Sequence, residues 1–160
     1  MTRLERRSPV ALAAAAATGA IEDANLKTVR RPSDGRHLGD WKRGEVLAQS
    51  GRGMTWSDPS AAPEGNGGNC YNCHRISGAG ISHGTIGPSL NQYGTLRGVA
   101  DPASAAARLL VEYTWGTLWN TRAYDACSNM PCFGHAGLLY ESQLEDLMAL
   151  LLDPNSPVNQ

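Results

Sequence analysis

Cys70-Tyr71-Asn72-Cys73-His74 constrains this chain more than any other stretch. Two thiols three positions apart can each add across one vinyl group of a porphyrin. The histidine that follows is then carried beneath the ring, where its imidazole can bind iron. A zinc site would need a second ligand pair at finger-like spacing, and no second CxxC occurs. A thioredoxin-like dithiol belongs in a βαβ context, which this sequence does not offer. The spacing therefore predicts one covalent haem c, held by Cys70 and Cys73, with His74 on the iron. It also predicts a fold wrapped around a large flat apolar body. That fits a chain with a single Phe, 18 glycines and 9 prolines, which is poor in aromatic filling and rich in turns.

The length of 160 residues suits one domain with one core. Its beginning has the marks of an export signal. Arg3, Arg6 and Arg7 precede a short alanine-rich run from Val10 to Ala17, and Thr18-Gly19-Ala20 offers small residues for cleavage. Residues 1–20 are therefore expected to be a signal peptide and the mature protein periplasmic. No run is long enough to span a bilayer. The whole chain has a formal charge of −1, and removing Arg3, Arg6, Arg7 and Glu5 with the signal shifts it to −3. Such a balance gives no sign of nucleic-acid binding.

Residues 21–39 are polar, carry the turn signal Arg31-Pro32-Ser33-Asp34-Gly35, and read as a flexible lead-in to a domain over residues 40–160. Asp40 is a candidate N-cap for a helix over residues 41–50 that ends at Gly51. Gly44 lies on the same face of that helix as Trp41, Leu47 and Ala48. A glycine there costs roughly 1 kcal/mol of helix propensity against alanine, and a close helix crossing would explain it. Residues 51–69 read as a long loop containing Met54 and Trp56. Asp101-Pro102 should open a third helix running to about Trp119. A last helix near residues 141–152 carries Leu144, Leu147, Met148 and Leu151 and stops at Asp153-Pro154. Met148 sits in that stripe as packing.

The second iron ligand decides the chemistry, because a six-coordinate haem passes electrons while an open position binds small molecules. Met130 lies in Cys127-Ser128-Asn129-Met130-Pro131-Cys132-Phe133-Gly134-His135, where Pro131 restricts it to extended backbone angles. It is the expected distal ligand. His135 is its rival; His83 follows the proximal histidine too closely, and His37 belongs to the solvated lead-in. In Gly84-Thr85-Ile86-Gly87-Pro88-Ser89-Leu90, the Pro88 carbonyl is the expected acceptor for His74 Nδ1, which would leave Nε2 for iron. Cys127 and Cys132 are candidates for a disulfide across the Met130 loop. Two separate thiols, or one kept for a partner, are the alternatives.

The motifs from Gly67 onward resemble the SoxX family, the small cytochrome subunit of the SoxAX sulfur-oxidation complex. The matching segments are Gly68-Asn69-Cys70-Tyr71-Asn72-Cys73-His74, Gly84-Thr85-Ile86-Gly87-Pro88-Ser89-Leu90, Tyr93-Gly94 with Arg97-Gly98, Ala126-Cys127-Ser128-Asn129-Met130-Pro131, and Leu150-Leu151-Leu152-Asp153-Pro154-Asn155-Ser156-Pro157-Val158-Asn159. Residues 1–66 match only loosely. Cys132 stands where the family has arginine, and Tyr140 where it starts its last helix with threonine. The resemblance implies an all-α, class I cytochrome c-like domain with long loops. It implies a non-catalytic subunit paired with a SoxA-like cytochrome. That subunit would take up electrons released when thiosulfate is joined to a cysteine of a SoxYZ carrier, and pass them to a soluble cytochrome c. A stand-alone monohaem carrier, or a haem enzyme or sensor with a labile Met130, would share the same residues.

Overall fold

The computed structural model describes residues 9–53, 62–79 and 83–160; Met54 and Trp56 lie outside the described residues. Among these residues the chain is all-α. Its helices are α1 (Pro9–Leu26), α2 (Trp41–Gln49), α3 (Arg108–Trp119) and α4 (Glu141–Leu152). Short 3-10 turns stand at Pro63–Gly65, Cys70–Asn72, Thr95–Arg97 and Thr121–Ala123.

The crossing of α2 over α4 sets the frame. Gly44 is the point of closest approach: a Cβ there would fall on the Asp146 carbonyl and come within 3.0 Å of Leu150 Cβ. The contact is fastened by charge as well as by packing. Asp146, 6% exposed, receives both prongs of the Arg43 guanidinium at 2.8 Å and the Asp40 backbone N–H at 2.7 Å. A bidentate pair of this kind fixes orientation as well as distance. Asp40 in turn caps α2 by accepting from Lys42 N–H at 2.9 Å, as expected from its position before Trp41.

α4 is the spine of the core. Leu144, Leu147, Met148, Leu150 and Leu152 are each at most 3% exposed, and they pack with Val111, Trp115, Leu118, Phe133 and Val158. Asp153 ends the helix, and the chain doubles back onto it. Asn159 accepts from Gly94 N–H at 2.8 Å and Thr95 N–H at 3.2 Å. It also donates to the Leu151 and Asp153 carbonyls at 3.0 and 2.8 Å. Each buried bond is worth about 1 kcal/mol net, and more where a partner is left unpaired. Asn159→Ala is therefore expected to destabilise by about 2–4 kcal/mol, lowering Tm by about 5–15 °C in a chain of this size. Thermal unfolding followed by circular dichroism checks this.

Two expectations are corrected. The lead-in is not loose. Trp115 Nε1 donates to the Arg30 carbonyl at 2.6 Å, Trp119 Nε1 donates to the Thr28 carbonyl at 3.0 Å, and fully buried Asn120 donates to both Asn25 Oδ1 and Thr28 Oγ1 at 2.9 Å. His37 is half-buried, edge-on to Trp115 at 5.5 Å, and burial lowers its basicity. α1 runs through Thr18-Gly19-Ala20 to Leu26, and Glu22 near its end accepts from Ala126 N–H at 3.2 Å. The third helix also starts later than Asp101-Pro102 suggests. Asp101 Oδ1 takes Ala103 N–H at 2.9 Å and Ser104 Oγ donates to the Asp101 carbonyl at 2.7 Å. These side chains compete with helical bonding and fold the segment ahead of Arg108 into tight turns.

Candidate haem site

The CxxCH segment hangs from the end of α2. Gly67 N–H donates to the Arg52 carbonyl at 2.8 Å, Gly68 to Leu47 at 2.8 Å and Asn69 to Ser50 at 3.0 Å. Asn69 then takes the left-handed conformation, φ 50°, which asparagine tolerates better than most residues. That turns the chain into the 3-10 turn Cys70–Asn72, where Cys73 N–H and His74 N–H both donate to the Cys70 carbonyl, at 3.1 and 2.9 Å. One turn thus carries both thiols and delivers the imidazole next to them.

His74 is 9% exposed, and its Nδ1 lies 2.7 Å from the Pro88 carbonyl. A carbonyl can only accept, so Nδ1 carries the hydrogen and Nε2 keeps its lone pair. The segment supplying that carbonyl is laced to the CxxCH turn by Gly84 N–H to Tyr71, Gly87 N–H to Cys73 and Leu90 N–H to Arg75, each 2.8 Å. Its glycines are steric necessities. A Cβ on Gly84 would overlap the Asn72 carbonyl, and one on Gly87 would overlap the His74 ring itself. The sequence reading singled out Pro88 here and passed over Gly84 and Gly87. Their spacing of three before a proline was the available signal.

Burial pushes the Cys70 thiol up to about 12. Leu47, Cys70, Tyr71, Leu90 and Met130 are partly buried and pack against the core. Two thiols on one turn, an imidazole with Nε2 free and a glycine shaped to the ring all fit a covalent haem.

Met130 sits in a loop tied to the end of α3. His135 N–H donates to the Trp119 carbonyl at 2.9 Å, Gly134 lies against the Trp119 ring, and Met130 N–H donates to Ser128 Oγ at 3.2 Å. Ser128 Oγ is itself bonded to Thr121 Oγ1 at 3.0 Å. Met130 is half-buried, while His83 and His135 are exposed. All four cysteines stand as free thiols. Cys127 faces solvent, and Cys132 is partly covered.

The fold and this arrangement define a c-type haem-binding protein. No family model matches the chain. It is similar to an uncharacterized lipoprotein of Aquifex aeolicus (strain VF5), 36% identical over 135 residues, which is 83% of this chain and 59% of the relative. The chain thus spans under two thirds of that relative's length. Among the described residues, no helix is long and apolar enough to cross a membrane.

Proposed function

We propose that this chain is a monohaem c-type electron carrier of the periplasm, with His74 Nε2 and Met130 sulfur as the two axial ligands. When bound, the haem supplies a one-electron ferric/ferrous couple. The observation that carries the reading is the His74–Pro88 pairing beside Cys70 and Cys73, since it orients an imidazole for a metal and leaves its other face to the Gly87 backbone. A thioether as second ligand favours ferrous iron and raises the potential above that of a bis-histidine pair. With His74 and Met130 both holding the iron, the haem would pass electrons and offer substrate no vacant position.

The test is Met130→Ala in the matured, exported protein. The weak red thioether-to-iron band should vanish, carbon monoxide should bind rapidly after reduction, and the potential should fall. If the band survives, another residue is the ligand; if the wild type already binds carbon monoxide, the carrier reading fails. A narrower reading makes the chain the SoxX-like subunit of a SoxAX-type complex, accepting electrons from a SoxA-like partner as thiosulfate is joined to SoxYZ. The Met130-Pro131 segment supports it. Co-purification of a second cytochrome from the native periplasm favours this reading, and a chain recovered alone favours the stand-alone carrier.

A further inference from the structure

The loop that carries Met130 crosses from Ala126 to His135 with no helix or strand of its own. Three ties fasten it from outside. Thr121 Oγ1 bonds to Ser128 Oγ at 3.0 Å, and Ser128 Oγ in turn accepts the Met130 N–H at 3.2 Å. Ala126 N–H donates to Glu22 Oε1 at 3.2 Å, and His135 N–H donates to the Trp119 carbonyl at 2.9 Å. The ties therefore lead to residues 119–121 and to the end of α1.

Residues 119–121 are themselves held from the N-terminal side. Asn120 is fully buried and spends both amide hydrogens on that side, on Asn25 Oδ1 and Thr28 Oγ1, each at 2.9 Å. Its Oδ1 accepts the Arg122 N–H at 3.3 Å. Thr28 Oγ1 donates onward to the Asn25 carbonyl at 2.7 Å, while the Thr28 carbonyl takes the Trp119 indole N–H at 3.0 Å. A buried amide with both hydrogens used is held in place, because losing either partner leaves a buried donor unmade. One polar seam thus runs from Asn25 and Thr28 through Asn120, Thr121 and Ser128 to the Met130 backbone.

We propose that Glu22–Thr28 is a strap that sets how firmly Met130 is held on the iron, with Thr28 a positioning residue acting through Asn120, Thr121 and Ser128. The proposal rests on Met130 being the distal ligand. A side chain on an irregular loop stays on a metal only while the loop stays closed, and loops open locally at free energies set by the few bonds that hold them. Groups behind a ligand change its hold without touching the metal. The strap contacts all lie beyond Thr18-Gly19-Ala20, so cleavage there leaves them in the exported chain.

The test uses the haem-loaded, exported protein with Thr28→Val, which keeps the volume and removes the acceptor, with Ser128→Ala, and with Thr28→Ser as the rescue. Hydrogen exchange at the Ala126 and Met130 amides reports loop opening whatever binds the iron. Uptake of added imidazole by the ferric protein reports departure of Met130. Loss of one buried bond should speed both by about fivefold in Thr28→Val and Ser128→Ala. Thr28→Ser should return both close to wild type, and exchange at the Leu147 and Leu150 amides of α4 should not change. Unchanged rates in both variants overturn the strap. So does faster exchange with unchanged imidazole uptake, a failed serine rescue, or an equal acceleration in α4, which marks general loosening. A wild type lacking the red thioether-to-iron band overturns the Met130 assignment and the strap's role with it, whereas a wild type with the band and unresponsive variants overturns the strap alone.

Discussion

Gly44→Leu is expected to cost at least about 3 kcal/mol, and even Gly44→Ala is expected to be destabilising. At an exposed helix position, alanine would gain about 1 kcal/mol over glycine from propensity alone. Here the added Cβ lands on the Asp146 carbonyl, a backbone atom that cannot rotate away, with Leu150 Cβ 3.0 Å off on the other side. Relief requires α2 to lift from α4, which strains the Arg43–Asp146 fork and the Asp40 N–H bond to the same carboxylate. Overpacking of this kind costs about 1–3 kcal/mol where side chains can adjust, and more where backbone must move. Steric overlap therefore outweighs propensity. Thermal unfolding should show a fall in Tm of about 6–12 °C for the leucine variant. An unchanged Tm would mean that the crossing is not as close as described.

Gly87→Ala should produce a different failure, at the site rather than in the frame. Its Cβ would occupy the space of the His74 imidazole. Either the ring turns out of its bond with the Pro88 carbonyl or the segment from Gly84 to Leu90 detaches from the CxxCH turn. Cys70 and Cys73 are untouched, so covalent attachment should persist while axial ligation weakens. The expected readout is a haem-stained band of normal strength on a denaturing gel together with a high-spin contribution in the optical spectrum. The melting temperature should change less than in Gly44→Leu, because α2 and α4 remain crossed. A fully low-spin spectrum in this variant would count against His74 as the proximal ligand.

What could be read from the sequence was what is written locally. Asp40 before an amphipathic stretch marked the start of α2, and Asp153-Pro154 marked the end of α4; both depend on neighbours within one turn. Gly44 was readable as a crossing point because a glycine on an apolar face needs a steric reason. The anchoring of residues 28–31 was not readable, since its donors, the Trp115 and Trp119 indoles, lie 85 and 91 positions away. Nor was the late start of α3, where Asp101 and Ser104 could equally cap a helix or fold a turn. At the site, Cys70, Cys73, His74 and Pro88 stand out by spacing. The steric reason for Gly84 and Gly87 shows once the Asn72 carbonyl and the His74 imidazole are seen lying against them.

The Leu150–Asn159 stretch, which carries much of the family resemblance, has a structural use. Asn159 ties the end of α4 to Gly94 and Thr95, and Ser156 Oγ donates to the Leu150 carbonyl. Its pattern is explained by holding the chain onto itself, so it speaks for shared architecture more than for a shared partner.

Suspending the CxxCH turn from α2 also bears on the order of events in biogenesis. Cys70 and Cys73 leave the ribosome, and cross any export channel, some seventy residues ahead of Glu141, the first residue of the helix that locks α2 in place. Thioether formation at Cys70 and Cys73 would therefore not have to wait for α4, the helix that braces α2.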